Sequence, residues 1–366
     1  MQREEMLLMP AMKALILSGG TGTRLRPLTY TSAKQLLPVA NRPIVAYAIE
    51  SLVSCGLTDI GIVVGDTADE VRTALGDGSQ FHCRFTYIHQ EKPLGLAHAV
   101  KTAQPFLGDA PFCMFLGDNL LRHGVGDLVE RFRDNAPEAA ILLAEVPNPG
   151  QFGVAVVERG QVVRLVEKPR DPISPYALVG AYCFTSAIHP IINALSPSWR
   201  NEYEITDAIQ GLIDNGRRVD ASFVDGWWKD TGRPDDLLDA NRLVLEELQS
   251  RVAGSADAAS VVTGRVELGD GAVVKDSVIR GPVSIADNAR ISHSYIGPYT
   301  SIGPDAVLDH VEIENSVVMA EATIANLSRR IADSLIGRQA HIHGEDRRPS
   351  TFRVVLGDRS EVHWVP

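Results

Sequence analysis

The chain has 366 residues, with 35 lysines and arginines against 46 aspartates and glutamates, a formal net charge of −11 at pH 7. That balance excludes nucleic-acid binding through bulk positive charge, so an anionic ligand has to be held by a local cluster of bases. Hydrophobic residues at 45% and charged residues at 22% describe a globular chain, and no stretch approaches the ~20 apolar residues that span a bilayer. The length predicts two domains rather than one core. The opening "MQREEMLLMPAMK" carries acids and lacks a long apolar run, which argues against a signal peptide; strand-like sequence begins at Met12 or Lys13. Cys55, Cys83, Cys113 and Cys183 show no CxxC spacing, so reduced thiols in a cytoplasmic protein are expected, not zinc or a disulfide framework.

In chain order, "KALIL" (13–17) reads as a buried strand, "IVAYAIESLVSC" (44–55) as a helix and "DIGIVV" (59–64) as a second strand. "ADEVRTAL" (68–75) is a helix with an acidic first turn, "RFTYI" (84–88) a strand, "LAHAVKTA" (96–103) a helix and "FCMFL" (112–116) a strand. The alternation predicts an α/β fold with a mainly parallel sheet covered on both faces. Such sheets bind ligands beyond the carboxyl ends of their strands, so the loops after Leu17 and Leu116 are the first candidates. "AAILLAEV", "VVRLVEKP", "ALVGAYCF" and "RVDASFV" continue as strands, with helices over 204–215 and 234–248. "QSRVAGSADAAS" (249–260) is small and polar and reads as a linker.

Beyond it the period changes. Val273, Ile279, Ile285 and Ile291 are six apart, as are Ile296, Ile302 and Leu308. Ser277, Ser294, Ser316 and Ser334 recur in "DSVIRG", "HSYIG", "NSVVM" and "DSLIG" at spacings of 17, 22 and 18. Three hexads fill one triangular turn of a parallel β-helix, in which each side buries an apolar residue against the next turn. "VVLGDRSEV" (354–362) echoes "VELGDGAVV" (266–274), which extends the expected solenoid almost to the C-terminus.

The loop "SGGTGTR" has neither the GxGxxG nor the GxxxxGK[ST] spacing. It does place Gly19, Gly20 and Gly22 beside Arg24 and Arg26, with Lys34 further on, and glycine backbone next to cations suits a polyphosphate.

"GGTGTRLRPLT…SAKQLLPVANRP" resembles the signature of sugar-1-phosphate nucleotidyltransferases, most closely the long, actinobacterial glucose-1-phosphate thymidylyltransferases of deoxysugar and antibiotic pathways. "QEKPLGLAHAV", "LGDN", "FGVA", "EKP", "EYEITDAI" and "WKDTG" follow in the same order. The resemblance implies a Rossmann-like catalytic domain over 12–248, with the linker at 249–260 and a left-handed parallel β-helix of hexapeptide repeats over 261–366. It further implies attack of a sugar 1-phosphate on the α-phosphorus of a nucleoside triphosphate, dTTP being favoured, with Mg2+ held by Asp118 and Asp230. Arg24, Lys34 and Lys168 then join those two aspartates as catalytic residues. Leu17, Gly19, Gly20, Thr21, Gly22, Thr23, Gln90, Pro93, Gly95 and Leu96, with Arg24 and Asp118, line the nucleotide. Asn119, Gly153, Glu167, Leu178, Gly180, Glu202 and Trp228, with Lys168, line the sugar phosphate. A soluble homo-oligomer without membrane or nucleic-acid partners is expected.

Phe152 stands where short thymidylyltransferases usually carry Tyr, and Asn201 where they carry Gly. Three readings therefore stay open: the thymidylyltransferase; the same chemistry with GTP, UTP, another sugar or a cyclitol phosphate; and a silent sugar-nucleotide sensor. Acyl transfer by a histidine of the repeat region (His293, His310, His341 or His343) is the weakest alternative, since nothing marks an acyl-CoA site.

Overall fold

A computed structural model describes residues 11–20, 22–171, 173–344 and 359–363. The chain separates into two compact units. One comprises residues up to 21 together with 45–230; the other comprises 22–44 together with 231–366.

Through residue 230 the strands are β1 (Lys13–Ser18), β2 (Pro38–Val39), β3 (Arg42–Pro43), β4 (Asp59–Val64), β5 (Arg84–His89), β6 (Phe112–Leu116), β7 (Asn119–Leu121), β8 (Ala139–Glu145), β9 (Gly153–Glu158), β10 (Gln161–Glu167), β11 (Tyr176–Phe184), β12 (Val219–Phe223) and β13 (Trp228–Asp230). The helices are α1 (Ile44–Ser54), α2 (Ala68–Leu75), α3 (Leu96–Leu107), α4 (Gly126–Asn135), α5 (Ile188–Ala194), α6 (Ile205–Asp214) and α7 (Pro234–Glu246).

The first unit is an α/β body on a nine-stranded mixed sheet, ordered β5-β4-β1-β6-β11-β8-β12-β10-β9. Its first four strands are parallel, with Leu15 between Gly61 and Met114. The continuous apolar runs of β1, β4 and β6 reflect burial on both faces. β11 then runs antiparallel to both β6 and β8. Leu15, Met114, Phe112, Ile141, Phe184 and Ile209 belong to one core cluster beneath α3, α5 and α6. All the parallel strands end at one edge. There the Gly117 amide donates to Leu17 O (3.0 Å) and the Gln90 amide to Val64 O (2.8 Å). A Cβ on Gly65 would lie 3.2 Å from the carbonyl of Gly19. The loops after β1, β4, β5 and β6 thus meet at the carboxyl edge, where open α/β sheets take ligands.

The second unit is built on the parallel β-helix, with three parallel sheets and strands in register from coil to coil. Val266 pairs with Val283, Val283 with Thr300, and Ser301 with Val317, so a coil here holds 17 residues rather than 18. The serine column changes corner along the way. Ser277 and Ser294 precede strands of one sheet, Ser316 and Ser334 strands of another; the gap of 22 residues is a coil plus one face. Each serine hydroxyl donates to the carbonyl two residues back, and three of them accept the amide of the coil above: Ser294 N to Ser277, Val311 N to Ser294, and Ser334 N to Ser316.

Two expectations need correction. Residues 249–260 are not a free linker: Arg251–Val252 and Ser255–Ala256 pair in parallel with the next coil. Their small polar residues are those of β-helix corners, which look like a linker in sequence. Val273 is only half-buried, and Val274 takes the inward position that the hexad count assigned to its neighbour. The echo at 354–362 falls mostly outside the described residues, and Ser360–Val362 carry no strand.

Residues 22–44 and α7 pack on this solenoid. Asn241, 1% exposed in α7, accepts the Ala40 amide (2.8 Å) and the Ser301 hydroxyl (2.7 Å) and donates to Tyr299 O (2.9 Å). Asn41 donates to the carbonyl and hydroxyl of Ser284.

Candidate active site

Within the first unit the site grows from the edge where β1, β4 and β6 end. Ser18 closes β1 with a buried hydroxyl that has no hydrogen-bond partner among the described residues. Gly19 follows, half-buried; a Cβ there would sit 3.3 Å from Gln90 Oε1, so glycine lets the loop pass beside that amide. Gln90 is 7% exposed, and its amide nitrogen donates to Nδ1 of His98 (2.8 Å). An NH2 group only donates, which puts the His98 proton on Nε2. Burial, with Lys101 nearby, lowers the His98 pKa, consistent with a neutral ring. Gly95 has φ +105°, and a Cβ there would meet Tyr203 O at 2.5 Å. This close approach admits the hydrogen bonds from the Tyr203 amide to Leu94 O and from the Ala97 amide to Tyr203 O. Leu96 is half-buried, Pro93 exposed, and the Leu17 side chain belongs to the core.

Asp118 follows β6. β7 and β13 form a two-stranded antiparallel ribbon in which Asn119 faces Asp230 and Leu121 faces Trp228. The structure therefore brings together the two aspartates that the resemblance joins across 112 positions of sequence. Asn119 is buried; its Nδ2 donates to Asp118 Oδ1 (3.0 Å) and its Oδ1 accepts from Trp228 Nε1 (2.6 Å). Two neighbouring carboxylates, one oriented by an amide, are a hard-oxygen donor set that fits Mg2+. Trp228 also packs edge-on against Phe152, with ring centres 5.3 Å apart.

From Phe152 the site continues to the sugar-phosphate residues. The Lys168 amide donates to Phe152 O, and Lys168 has φ +41°. Its ammonium lies 3.6 Å from Glu167. Glu167 also accepts from Thr206 Oγ1 (3.2 Å) and pairs with Arg200 (3.3 Å). Gly153 lies against this pair: a Cβ there would come within 2.6 Å of Thr206 Cγ2 and 3.2 Å of Glu167 Oε2. Gly180 makes room for Leu116, Leu178 is buried, and Glu202 pairs with Arg200 at 3.0 Å. Arg200 also meets Glu204 (3.3 Å), so one guanidinium serves three carboxylates. Burial pushes the Glu167 carboxyl up, Glu204 adding to the effect, against the pull of Lys168 and Arg200.

In the second unit, Gly22 has φ +59°, its carbonyl accepts the Thr29 hydroxyl (2.7 Å), and a Cβ there would sit 3.2 Å from Lys34 Cβ. Thr23 and Arg24 are exposed on the short turn Thr23–Leu25, and Lys34 is half-buried. Gly20 is exposed in the first unit, and Thr21 lies outside the described residues.

A family model described as nucleotidyl transferase matches residues 13–247. The chain belongs to the nucleotidyl transferase family. A glucose-1-phosphate thymidylyltransferase of Streptomyces antibioticus is 52% identical over 353 residues, which are 96% of this chain and 99% of that protein. The low-salt glycan biosynthesis nucleotidyltransferase Agl11 of Haloferax volcanii is 50% identical over 356 residues, again 96% and 99%. The solved structure of a UDP-glucose pyrophosphorylase complexed with UDP-glucose superposes with a TM-score of 0.59 at 26% identity, covering 64% of this chain and 99% of that one.

Sequence reasoning missed Arg200, His98, Thr206 and Ser18 in this nucleotidyl transferase. Arg200 had a usable signal: it stands in "RNEYE", two and four residues ahead of acids. Asn201, where short relatives carry Gly, has φ +61°, a left-handed conformation that Asn tolerates better than most residues. The Phe152 substitution leaves an aromatic packing partner for Trp228 in place of a hydroxyl.

Proposed function

We propose that this nucleotidyl transferase joins dTTP and glucose 1-phosphate to give dTDP-glucose and pyrophosphate, with Mg2+ as its divalent ion. The observation that carries the reading is the β7–β13 ribbon, which sets Asp230 opposite the residue that follows Asp118. A sugar-phosphate oxygen attacks the α-phosphorus, the α–β bridging bond breaks, and pyrophosphate leaves with the electron pair. Both reactants are anions, so positioning and positive charge carry the catalysis, without a covalent enzyme intermediate.

Asp118 and Asp230 hold the ion; when bound, it neutralises the α-phosphate and the departing pyrophosphate. Backbone at Gly19, Gly20 and Gly22 approaches the phosphates, and Arg24 and Lys34 offset their charge. Gln90, fixed by neutral His98, presents its remaining amide oxygen to a pyrimidine edge, and Gly95 and Leu96 leave room for the ring. Lys168 takes the sugar phosphate, and Glu167 a sugar hydroxyl. The exposed Val252, Val261 and Val262 of the first coil support self-association.

Pyrophosphate release from a matrix of nucleoside triphosphates and sugar 1-phosphates tests the reading. The expected result is fastest turnover with dTTP and glucose 1-phosphate in Mg2+. Release with GTP or a cyclitol phosphate alone overturns the substrate assignment, and no release from any pair overturns the enzymatic one. Light scattering reads the oligomer.

A further inference from the structure

One corner of the solenoid carries side chains that the nucleotidyl transfer reaction does not use. His293 and His310 occupy equivalent positions in successive coils, 17 residues apart, and both have positive φ (48° and 54°). Asp276 and Asn326 hold the same left-handed corner in flanking coils. Asn and Asp suit that conformation through their short polar side chains, whereas two stacked imidazoles are an unusual choice. The rings lie 4.4 Å apart and 21° from parallel. Both turn Nδ1 toward Asp309: His293 Nδ1 is 3.0 Å from Oδ1 and His310 Nδ1 is 3.1 Å from Oδ2.

We propose that His293, Asp309 and His310 bind one divalent transition-metal ion of the zinc class, which ties two successive coils together. One donor atom from each residue falls within 4.8 Å of the other two. Ligands bound at ~2.0–2.2 Å and roughly a right angle apart lie about 3 Å from each other, which is the spacing seen here between each imidazole nitrogen and the carboxylate. Two imidazoles and a carboxylate select zinc, cobalt or nickel; Mg2+ prefers all-oxygen ligation and stays with the aspartates of the first unit.

The surroundings suit ligation. Ser292 Oγ donates to Asp309 Oδ1 (2.6 Å) and orients the carboxylate. Hydrogen bonds from His293, Ser292 and His310 hold the Asp309 carboxyl down at about 2, so it is available as an anion. Asp276 Oδ2 lies 4.0 Å from His293 Nε2, on the side away from Asp309, where it favours the tautomer that leaves Nδ1 free for a metal. The corner opens on a cleft of about 470 Å³ lined by Asp276, Ser294, Tyr295, Glu312 and Leu327, which gives an ion and its remaining water ligands access.

The test uses the full chain, stripped with a chelator and returned to saturating Mg2+ so that the hard-oxygen site is filled. Calorimetric titration with Zn2+ should show one site, weakened more than about tenfold in His310→Gln and in Asp309→Asn, with Mg2+-dependent pyrophosphate release unchanged in both. Co2+ added to the wild-type protein should give the visible absorption of an imidazole-bound ion. Absence of that band overturns the proposal whether or not the variants fold. Zn2+ binding that persists unchanged in both variants puts the ion elsewhere and overturns it too.

Discussion

Asp230 stands directly across the β7–β13 ribbon from Asn119, whose amide nitrogen holds Asp118 Oδ1 at 3.0 Å. The ribbon therefore couples the two carboxylates through backbone pairing and one buried amide. Asp118→Asn or Asp230→Asn should lower kcat by roughly 100-fold or more while leaving the circular dichroism spectrum and Tm unchanged. Near-normal turnover of both variants in Mg2+ removes the metal assignment.

Arg200→Met should unfold more easily than the wild type, by about 3 kcal/mol, because Glu204 and Glu167 are left buried without their shared cation. Arg200→Lys should recover only part of this, since an ammonium cannot reproduce a fork that meets three carboxylates. Urea midpoints decide the matter, and equal midpoints for Met and wild type would show the cluster to be energetically idle.

Glu167 gives a pH signature. Its folded pKa is raised above the ordinary 4.5, chiefly by burial and then by Glu204, so the folded state binds this proton more tightly than the unfolded chain does. Stability from this group is full below pH 4.5 and lost as pH rises through the raised value. Glu167→Gln should flatten that limb, and its stability relative to wild type should rise with pH across the mildly acidic range. A difference that stays constant with pH contradicts the shift.

Gly153→Ala should cost about 1–3 kcal/mol and raise KM for the sugar phosphate, because the new methyl group lands 2.6 Å from Thr206 and 3.2 Å from Glu167. A Gly56→Ala control, where a Cβ meets nothing within 4 Å, isolates the steric term from the shared strain of positive φ only by comparison of KM. Unchanged KM in Gly153→Ala argues against a sugar site at this point.

Asn241→Leu should lose about 2–3 kcal/mol, since the Ala40 amide and the Ser301 hydroxyl are left without their buried acceptor. Thermal unfolding of the full chain reads this.

Local patterning carried most of the architecture. The uninterrupted apolar runs of β1, β4 and β6 and the acidic opening of α2 place themselves, because burial on both faces and helix-end charge act on neighbouring residues. The solenoid was legible through Ile279, Ile285 and Ile291, all buried, yet its 17-residue coil was not, because a five-residue face changes register without breaking the apolar spacing. The nearness of Asp118 and Asp230 depends on a ribbon between segments far apart in sequence, and only the family resemblance pointed to it. Arg200 lies in a loop with no period, so its partners emerge only once Glu167 and Glu204 are folded beside it.

The hydrogen bonds of Asn41 and Asn241 to Ser284, Tyr299 and Ser301 bear on modularity. The family-matched segment ends at 247, yet residues 22–44 and α7 belong by packing to the coils that follow. Excising the chain at that boundary would strip buried amides of their acceptors, and a chimera that grafts this solenoid onto a short homologue would have to carry 22–44 along with it.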